Sequence, residues 1–166
     1  MNIEVREATT EDIDEIGAVN RESIEGLADG SYDREQISAW ISGISPELYP
    51  VGPTDVYFLL AERDGDIVGF GWTKPAADDY LDASVDSEIT SMYVHPSAAG
   101  SGVGSQLYDR LERFAREQDS SLMGLWASLN AVSFYERHGY TRAMQRALEY
   151  PNGIEIPVVE MQKRLD

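Results

Sequence analysis

Val94-His95-Pro96-Ser97-Ala98-Ala99-Gly100-Ser101-Gly102-Val103-Gly104-Ser105 lies between two runs of different hydrophobic period, and its reading decides the fold. Upstream, Ser87 to Val94 reads as a strand. Downstream, Val103, Leu107, Leu111 and Phe114 recur at i, i+4, i+8 and i+11, the apolar stripe of a helix. Leu122 to Ser128 follows as a nearly continuous apolar run, fit for a buried parallel strand. Strand, loop, helix and strand in that order require a crossover connection, so the two strands run parallel.

Working outward, Val56 to Glu62 and Ile67 to Thr73 flank Arg63-Asp64-Gly65-Asp66, whose Asp-Gly pair is a hairpin signal. Asn2 to Arg6 alternates Ile3 and Val5 with polar residues and suits a short strand. Thr9 and Asp12 have capping-box spacing ahead of Ile13, Ile16 and Val19, which predict a first helix. A second helix starts at Ser31-Tyr32-Asp33, carries Ile37, Trp40, Ile41 and Ile44 on one face, and is expected to stop at Pro46. Ala131 to His138 predicts a short helix ended by Gly139. Thr141 to Tyr150 and Ile156 to Leu165 read as strands turning over Pro151-Asn152-Gly153. The order β α α β β β α β α β β is that of an α/β domain with a mixed sheet and helices on both faces.

The chain has 166 residues, 42% of them hydrophobic, which suits one domain over 1–166 and is too apolar for a disordered chain. It has no 18-residue apolar run of the kind that spans a membrane. Its net charge of −17 argues against partners with anionic surfaces, so neither nucleic acid nor membrane is expected. Lys74 and Lys163 are its lysines, against eleven arginines, and the thirty acidic residues are spread evenly. That pattern resembles the surfaces of proteins from extreme halophiles, where molar salt screens the self-repulsion. The absence of cysteine excludes disulfides and thiolate chemistry. The N-terminal segment has no basic region followed by an apolar stretch, so a cytoplasmic location is expected.

Glycines at a strand-to-helix junction let several N–H groups converge where a helix N-terminus adds positive potential, an arrangement that suits phosphate. A plain glycine-rich loop is the alternative. A Walker A loop would need Gly-Lys-Ser/Thr, and no lysine lies between Lys74 and Lys163. A dinucleotide fingerprint would need glycine at Ser105 and an acid after the next strand, where Ala127, Ser128 and Leu129 stand. A nucleophile elbow fails because Ala99 and Val103 flank Ser101.

Met92-Tyr93-Val94-His95-Pro96, then Gly100-x-Gly102-x-Gly104, then Asn130-x-x-Ser133-Phe134-Tyr135-Glu136-x-x-Gly139-Tyr140 together resemble the GNAT superfamily of acyl-CoA-dependent N-acetyltransferases. The element order matches across nearly the whole chain. The resemblance implies a mixed, mostly antiparallel sheet with a central splayed parallel strand pair. It also implies direct transfer from acetyl-CoA, as co-substrate and without a metal, to the amine of a small molecule or peptide. A homodimer is left open. One departure is Ala99, where the family loop usually has Gln or Arg.

By the same resemblance, the main chain of Met92, Tyr93 and Val94 pairs with the pantetheine arm. The loop Gly100, Ser101, Gly102, Val103, Gly104 and Ser105 holds the pyrophosphate, and Asn130 and Ser133 meet the carrier from the other side. Tyr135 matches the family's general acid for the thiolate, against the plainer role of a packed aromatic. Glu88 is the candidate base, with Asp86 and Glu62 behind it. It shares a nominal strand face with Thr90, Met92 and Val94 unless a bulge resets the alternation. His95, in the His-Pro turn, and His138, beside Gly139, suit structural roles, and two histidines this far apart make no metal site. Tyr32, Trp40, Tyr57 and Trp72 are candidates to line the acceptor pocket, although Trp40 on its Ile-rich stripe reads more readily as core. The acceptor itself is not readable. A non-catalytic acyl-CoA-binding module is the alternative to an enzyme.

Overall fold

In the computed structural model, which describes residues 2–52, 55–77, 81 and 85–165, strand β1 (Ile3–Glu7) leads into helices α1 (Ile13–Glu25) and α2 (Arg34–Ser42). Strands β2 (Tyr57–Arg63), β3 (Asp66–Lys74) and β4 (Ser87–Val94) follow, then α3 (Val103–Glu117), β5 (Leu122–Ser128), α4 (Val132–Arg137), β6 (Thr141–Tyr150) and β7 (Ile154–Arg164). The strands form one sheet in the order β1-β2-β3-β4-β5-β7-β6. The β2–β3 turn places Asp64 and Gly65 at φ +55° and +89°, the left-handed pair that a two-residue hairpin requires. The predicted capping box is present on the 3-10 turn Thr10–Asp12 that leads into α1: Asp12 accepts the Thr9 backbone N–H at 2.8 Å.

Helix α2 ends earlier than expected. Gly43 takes up its last carbonyls, so the helix is over before Pro46, which instead opens a short 3-10 turn. Asp33 caps its start by accepting the Gln36 N–H at 2.8 Å.

Alternation along the strands divides the core between the two faces. Under α3 and α4, Leu107, Leu111, Met123 and Leu125 are sealed with Leu59 and Ile89. Each such side chain contributes roughly 1.5–3 kcal/mol on burial. Under α1, Ile16 and Val19 pack on Leu60, Phe70 and Trp72, and under α2, Ile37 joins Tyr32 and Ile156. The mixed sheet and its helices on both faces are therefore as expected.

Strands β4 and β5 run parallel and pair at Ser87 with Met123 and at Glu88 with Gly124. Beyond those pairs the two strands splay, and β5 continues antiparallel to β7 along its full length. No helix among the described residues is long and apolar enough to cross a membrane.

Candidate active site

The splay leaves one edge of β4 open. The His95 N–H points toward β3, where it donates to the Val68 carbonyl at 2.8 Å. By strand alternation, the main-chain groups of Val94 and Met92 turn the other way, to the open edge, while those of Tyr93 face β3. Tyr93 therefore offers its ring, not its main chain. Ser23 of α1 reaches across and donates to the Val94 carbonyl at 3.1 Å.

Below that edge the glycine loop curls as its sequence requires. Gly100 and Gly102 sit at φ +77° and +89°, where any side chain would be strained, and Gly102 is the N-cap of α3. A groove of about 370 Å³ runs along Met92, Val94, Ala99, Gly100, Gly102 and Ser105 to Asn130 on the far wall. Tyr93, Val103 and Gly104 also line it, and Arg137 is the one cation among its described lining residues. Ser101, whose hydroxyl turns back to the Ala98 carbonyl, and Ser133 on α4 are exposed and outside that lining. Ser105 is held from behind, 3.1 Å from Nε2 of His138, whose ring lies against Tyr108 and Phe134. Burial holds the His138 imidazole below the usual histidine range. It buttresses the loop as well as sitting near a helix end.

A second cavity of about 400 Å³ opens on the α1/α2 side of the sheet. It meets the groove at a common wall of Met92, Tyr93, Ser128, Ala131 and Tyr135. Tyr135 is 6% exposed, and burial pushes its phenol above the ordinary tyrosine range. A neutral O–H thus stands between the two cavities.

The residue pairing of β4 contains a bulge. Ser91 pairs with Trp72 and Ile89 with Thr73, which leaves Thr90 as the extra residue. Ile89 consequently shares the α3 face with Met92 and Val94. Glu88 is turned to the opposite face, and the nominal face read from even spacing is corrected. Its carboxylate is fully buried and accepts the Thr90 hydroxyl at 2.7 Å, and Thr90 itself lines the second cavity.

The other candidates for the base are committed elsewhere. Asp86 accepts the N–H groups of Ser121 and Leu122 at 2.8 and 3.0 Å, clamping the start of β5, and Glu62 pairs with Arg6 at 2.7 Å. His95 caps its own turn through the Ser97 N–H at 3.1 Å and pairs with Glu22.

Of the four aromatics expected around an acceptor, Trp40 lines the cavity and the other three do not. Trp40 is half-buried: it packs on the cluster of Tyr32 and Ile37, as its helical stripe reads, and also lines the cavity. Tyr32 is locked, donating to the Pro157 carbonyl at 2.6 Å and accepting the Leu129 N–H at 2.9 Å. Tyr57 stacks on Phe114 under α3, and Trp72 stacks on Phe58.

Sequence reasoning missed Trp126, Tyr150 and Asn20, which also line the cavity. Trp126 was hidden in an apolar run, although strand alternation puts it on the face opposite Leu125. Asn20 had a visible signal, a polar residue one turn after Ile16 on the buried stripe of α1.

Comparison with known proteins agrees with this geometry. The mycothiol acetyltransferase of Sanguibacter keddieii is 42% identical over 93 residues, which are 52% of this chain and 28% of that protein. The chain thus matches about a quarter of the length of the mycothiol acetyltransferases it resembles. The aminoalkylphosphonate N-acetyltransferase of Salmonella typhimurium is 29% identical over 84% of this chain and 86% of its own. The structure of a GCN5-related N-acetyltransferase from Rhodopseudomonas palustris superposes with a TM-score of 0.83 at 28% identity, covering 99% of this chain and 97% of that one. The fold is also that of the PaiA N-acetyltransferase from Thermoplasma acidophilum, solved with coenzyme A, at a TM-score of 0.76, 22% identity and coverage of 99% and 100%. The family model for the acetyltransferase (GNAT) domain matches residues 54–142, more than half of the chain, and the chain belongs to that family.

Proposed function

We propose that residues 1–166 act as one acetyl-CoA-dependent N-acetyltransferase, transferring directly to the primary amine of an acceptor. The observation that carries this reading is Tyr135, a buried phenol on the wall shared by a backbone-lined groove and an aromatic cavity. Acetyl-CoA, when bound, supplies an activated thioester carbonyl. The open edge at Met92 and Val94 fits an extended amide-bearing arm, which adds to the sheet like a strand. The Gly100–Ser105 loop and the N-terminus of α3 fit its pyrophosphate, with Arg137 and Asn130 on the opposite wall. Main-chain N–H groups at the splay polarise the carbonyl where negative charge develops.

Three side chains move protons in this reading. Tyr135, kept neutral by burial, donates its phenolic proton to the departing thiolate. Glu88 takes the proton of the attacking amine by relay: the Thr90 hydroxyl, already donating to Glu88, receives the amine's proton as it passes its own on. We propose too that the dispersed acidic surface is a salt adaptation.

Thiol release from acetyl-CoA with an amine panel in molar KCl tests the activity. A saturating ligand at a hundred times its dissociation constant adds about 2.7 kcal/mol of stability, read as a thermal shift. No shift with millimolar CoA overturns the donor site, whereas binding without turnover of any amine leaves a binding module.

A further inference from the structure

The second cavity combines two properties that narrow what it takes. Its walls are Trp40, Tyr93, Trp126 and Tyr150 with aliphatic side chains between them, and its described lining residues include no Asp, Glu, Lys or Arg. In a chain with a net charge of −17, that is a departure from the general surface. Arg146, behind the Trp126 wall, is engaged by Glu160 at 3.0 Å, and the same carboxylate accepts the Trp126 indole N–H at 3.0 Å. An anionic group in the cavity would lose its water without gaining a cation, which is costly at a site this apolar.

The second property is Asn20. It is 3% exposed and lines the cavity, and its Nδ2 donates to the Tyr49 hydroxyl at 2.8 Å, while Oδ1 has no hydrogen-bond partner among the described residues. Buried polar atoms are nearly always paired, so an orphaned acceptor on a residue of the cavity lining points to a donor delivered by what the cavity binds, met by a small turn of the side chain.

We infer that the acceptor is a primary amine on an uncharged aromatic or similarly apolar body that carries, apart from the reacting nitrogen, an O–H or N–H donor for Asn20 Oδ1. Amines bearing a carboxylate or phosphonate are excluded. The inference rests on the acetyltransferase reading above. It separates this chain from the relative named for aminoalkylphosphonates, since a phosphonate here would remain unpaired. The volume of about 400 Å³ suits a body of one or two rings. Aromatic walls select it by area and shape, and Asn20 orients it, because a buried group left unpaired penalises every analogue that lacks the donor.

The test uses the full chain in molar KCl with tyramine, its meta-hydroxyl isomer, 2-phenylethylamine, tyrosine and 2-aminoethylphosphonate. At least one hydroxylated amine should exceed 2-phenylethylamine about tenfold in kcat/KM, the worth of one hydrogen bond to a buried acceptor. Tyrosine and the phosphonate should fall below both. Asn20→Leu should erase the advantage of the hydroxyl, while Tyr49→Phe, which breaks the same Asn20 contact from the other side, should keep it. A merely structural Asn20 would lower all rates together and leave the ratio unchanged, which overturns its assignment. Tyrosine or the phosphonate turned over as well as tyramine overturns the exclusion of anions. Calorimetric binding of N-acetyltyramine against N-acetyltyrosine reads the same preference without turnover. Weak binding of both, or equal binding, overturns the inference, whereas preferential binding without thiol release counts only against the catalytic reading.

Discussion

The groove and the aromatic cavity meet at Tyr135 but are built from different materials. The groove takes most of its lining from one stretch between Met92 and Arg137, and much of its chemistry is main chain: an open strand edge, two left-handed glycines and a helix N-terminus. The cavity is assembled from side chains on α1, α2, β4, β5, β6 and β7, each contributing one or a few groups. A backbone site has the same chemistry whatever the neighbouring side chains are, so one loop geometry holds one carrier. A side-chain site changes with each substitution, and one fold can then serve many acceptors. Substitutions on the shared wall should impair both sites or the step between them. Substitutions on one side should leave the other intact.

The largest effect should come at the wall. Tyr135→Phe removes a proton donor and keeps the ring, so turnover should fall by about a hundredfold or more while CoA affinity is retained. Calorimetry with CoA beside steady-state rates checks both halves, and equal turnover would remove Tyr135 from the chemistry. Next comes the cavity side. Glu88→Gln keeps the shape of a fully buried side chain and should lower kcat by about a hundredfold, toward the lower end for a proton-transfer group. Thr90→Val should follow it, by about tenfold, if the hydroxyl carries the proton, with Thr90→Ser restoring the rate. Normal turnover in Thr90→Val would break the relay and leave water as the carrier.

This difference in construction also explains what was legible in the sequence. The parallel strands around the loop, the hairpin at Asp64-Gly65 and the cap at Thr9 are set by local residue chemistry, and the structure has each of them. The groove could be read because Gly100 and Gly102 are required by left-handed backbone geometry and Gly104 by the close approach of Phe134, all within one loop and the first turn of the helix it opens. The cavity could not, since its residues are far apart in sequence and each has an ordinary local explanation: Trp40 as a stripe residue, Trp126 as part of a buried strand. The bulge at Thr90 is the hardest case. Nothing in Ser87 to Val94 marks it, yet it decides which face Glu88 occupies. Asn20 was within reach, because a polar side chain on an apolar helical stripe needs a partner.

On the groove side, Gly102→Ala places a side chain at φ +89° in otherwise open space, so its cost is conformational and not a clash. A left-handed non-glycine residue costs roughly 1–2 kcal/mol, which should appear as about a tenfold loss in CoA affinity if the loop relaxes to escape the strain. Binding of N-acetyltyramine should be unchanged in the same variant. A parallel loss in both would mean that the two sites are coupled through the splay and are not merely adjacent.

The smallest effect concerns Ala99, where the family loop usually carries Gln or Arg. Ala99 is exposed on the groove at φ −60° and ψ 136°, a conformation open to any side chain, so Ala99→Arg should fold normally. What it adds is a charge near the place where phosphate is expected. In molar salt the Debye length is about 3 Å, and an exposed attraction of this kind is largely screened, whereas at about 0.01 M it extends to about 30 Å. Short main-chain N–H bonds at a helix N-terminus are far less sensitive to salt, because they act within contact distance and depend on direction. If the acidic surface is a salt adaptation, the lost side chain cost little where the protein works. Ala99→Arg should then tighten CoA binding by a few-fold at low salt, about the 0.3–1 kcal/mol of an exposed charge at a helix end, and change it little in molar KCl. The low-salt arm requires a chain that stays folded, which far-ultraviolet circular dichroism at both ionic strengths establishes. An equal gain at both would show that the arginine acts through hydrogen-bond geometry, and Arg137→Ala would then show whether the existing cation on the opposite wall contributes in the same way.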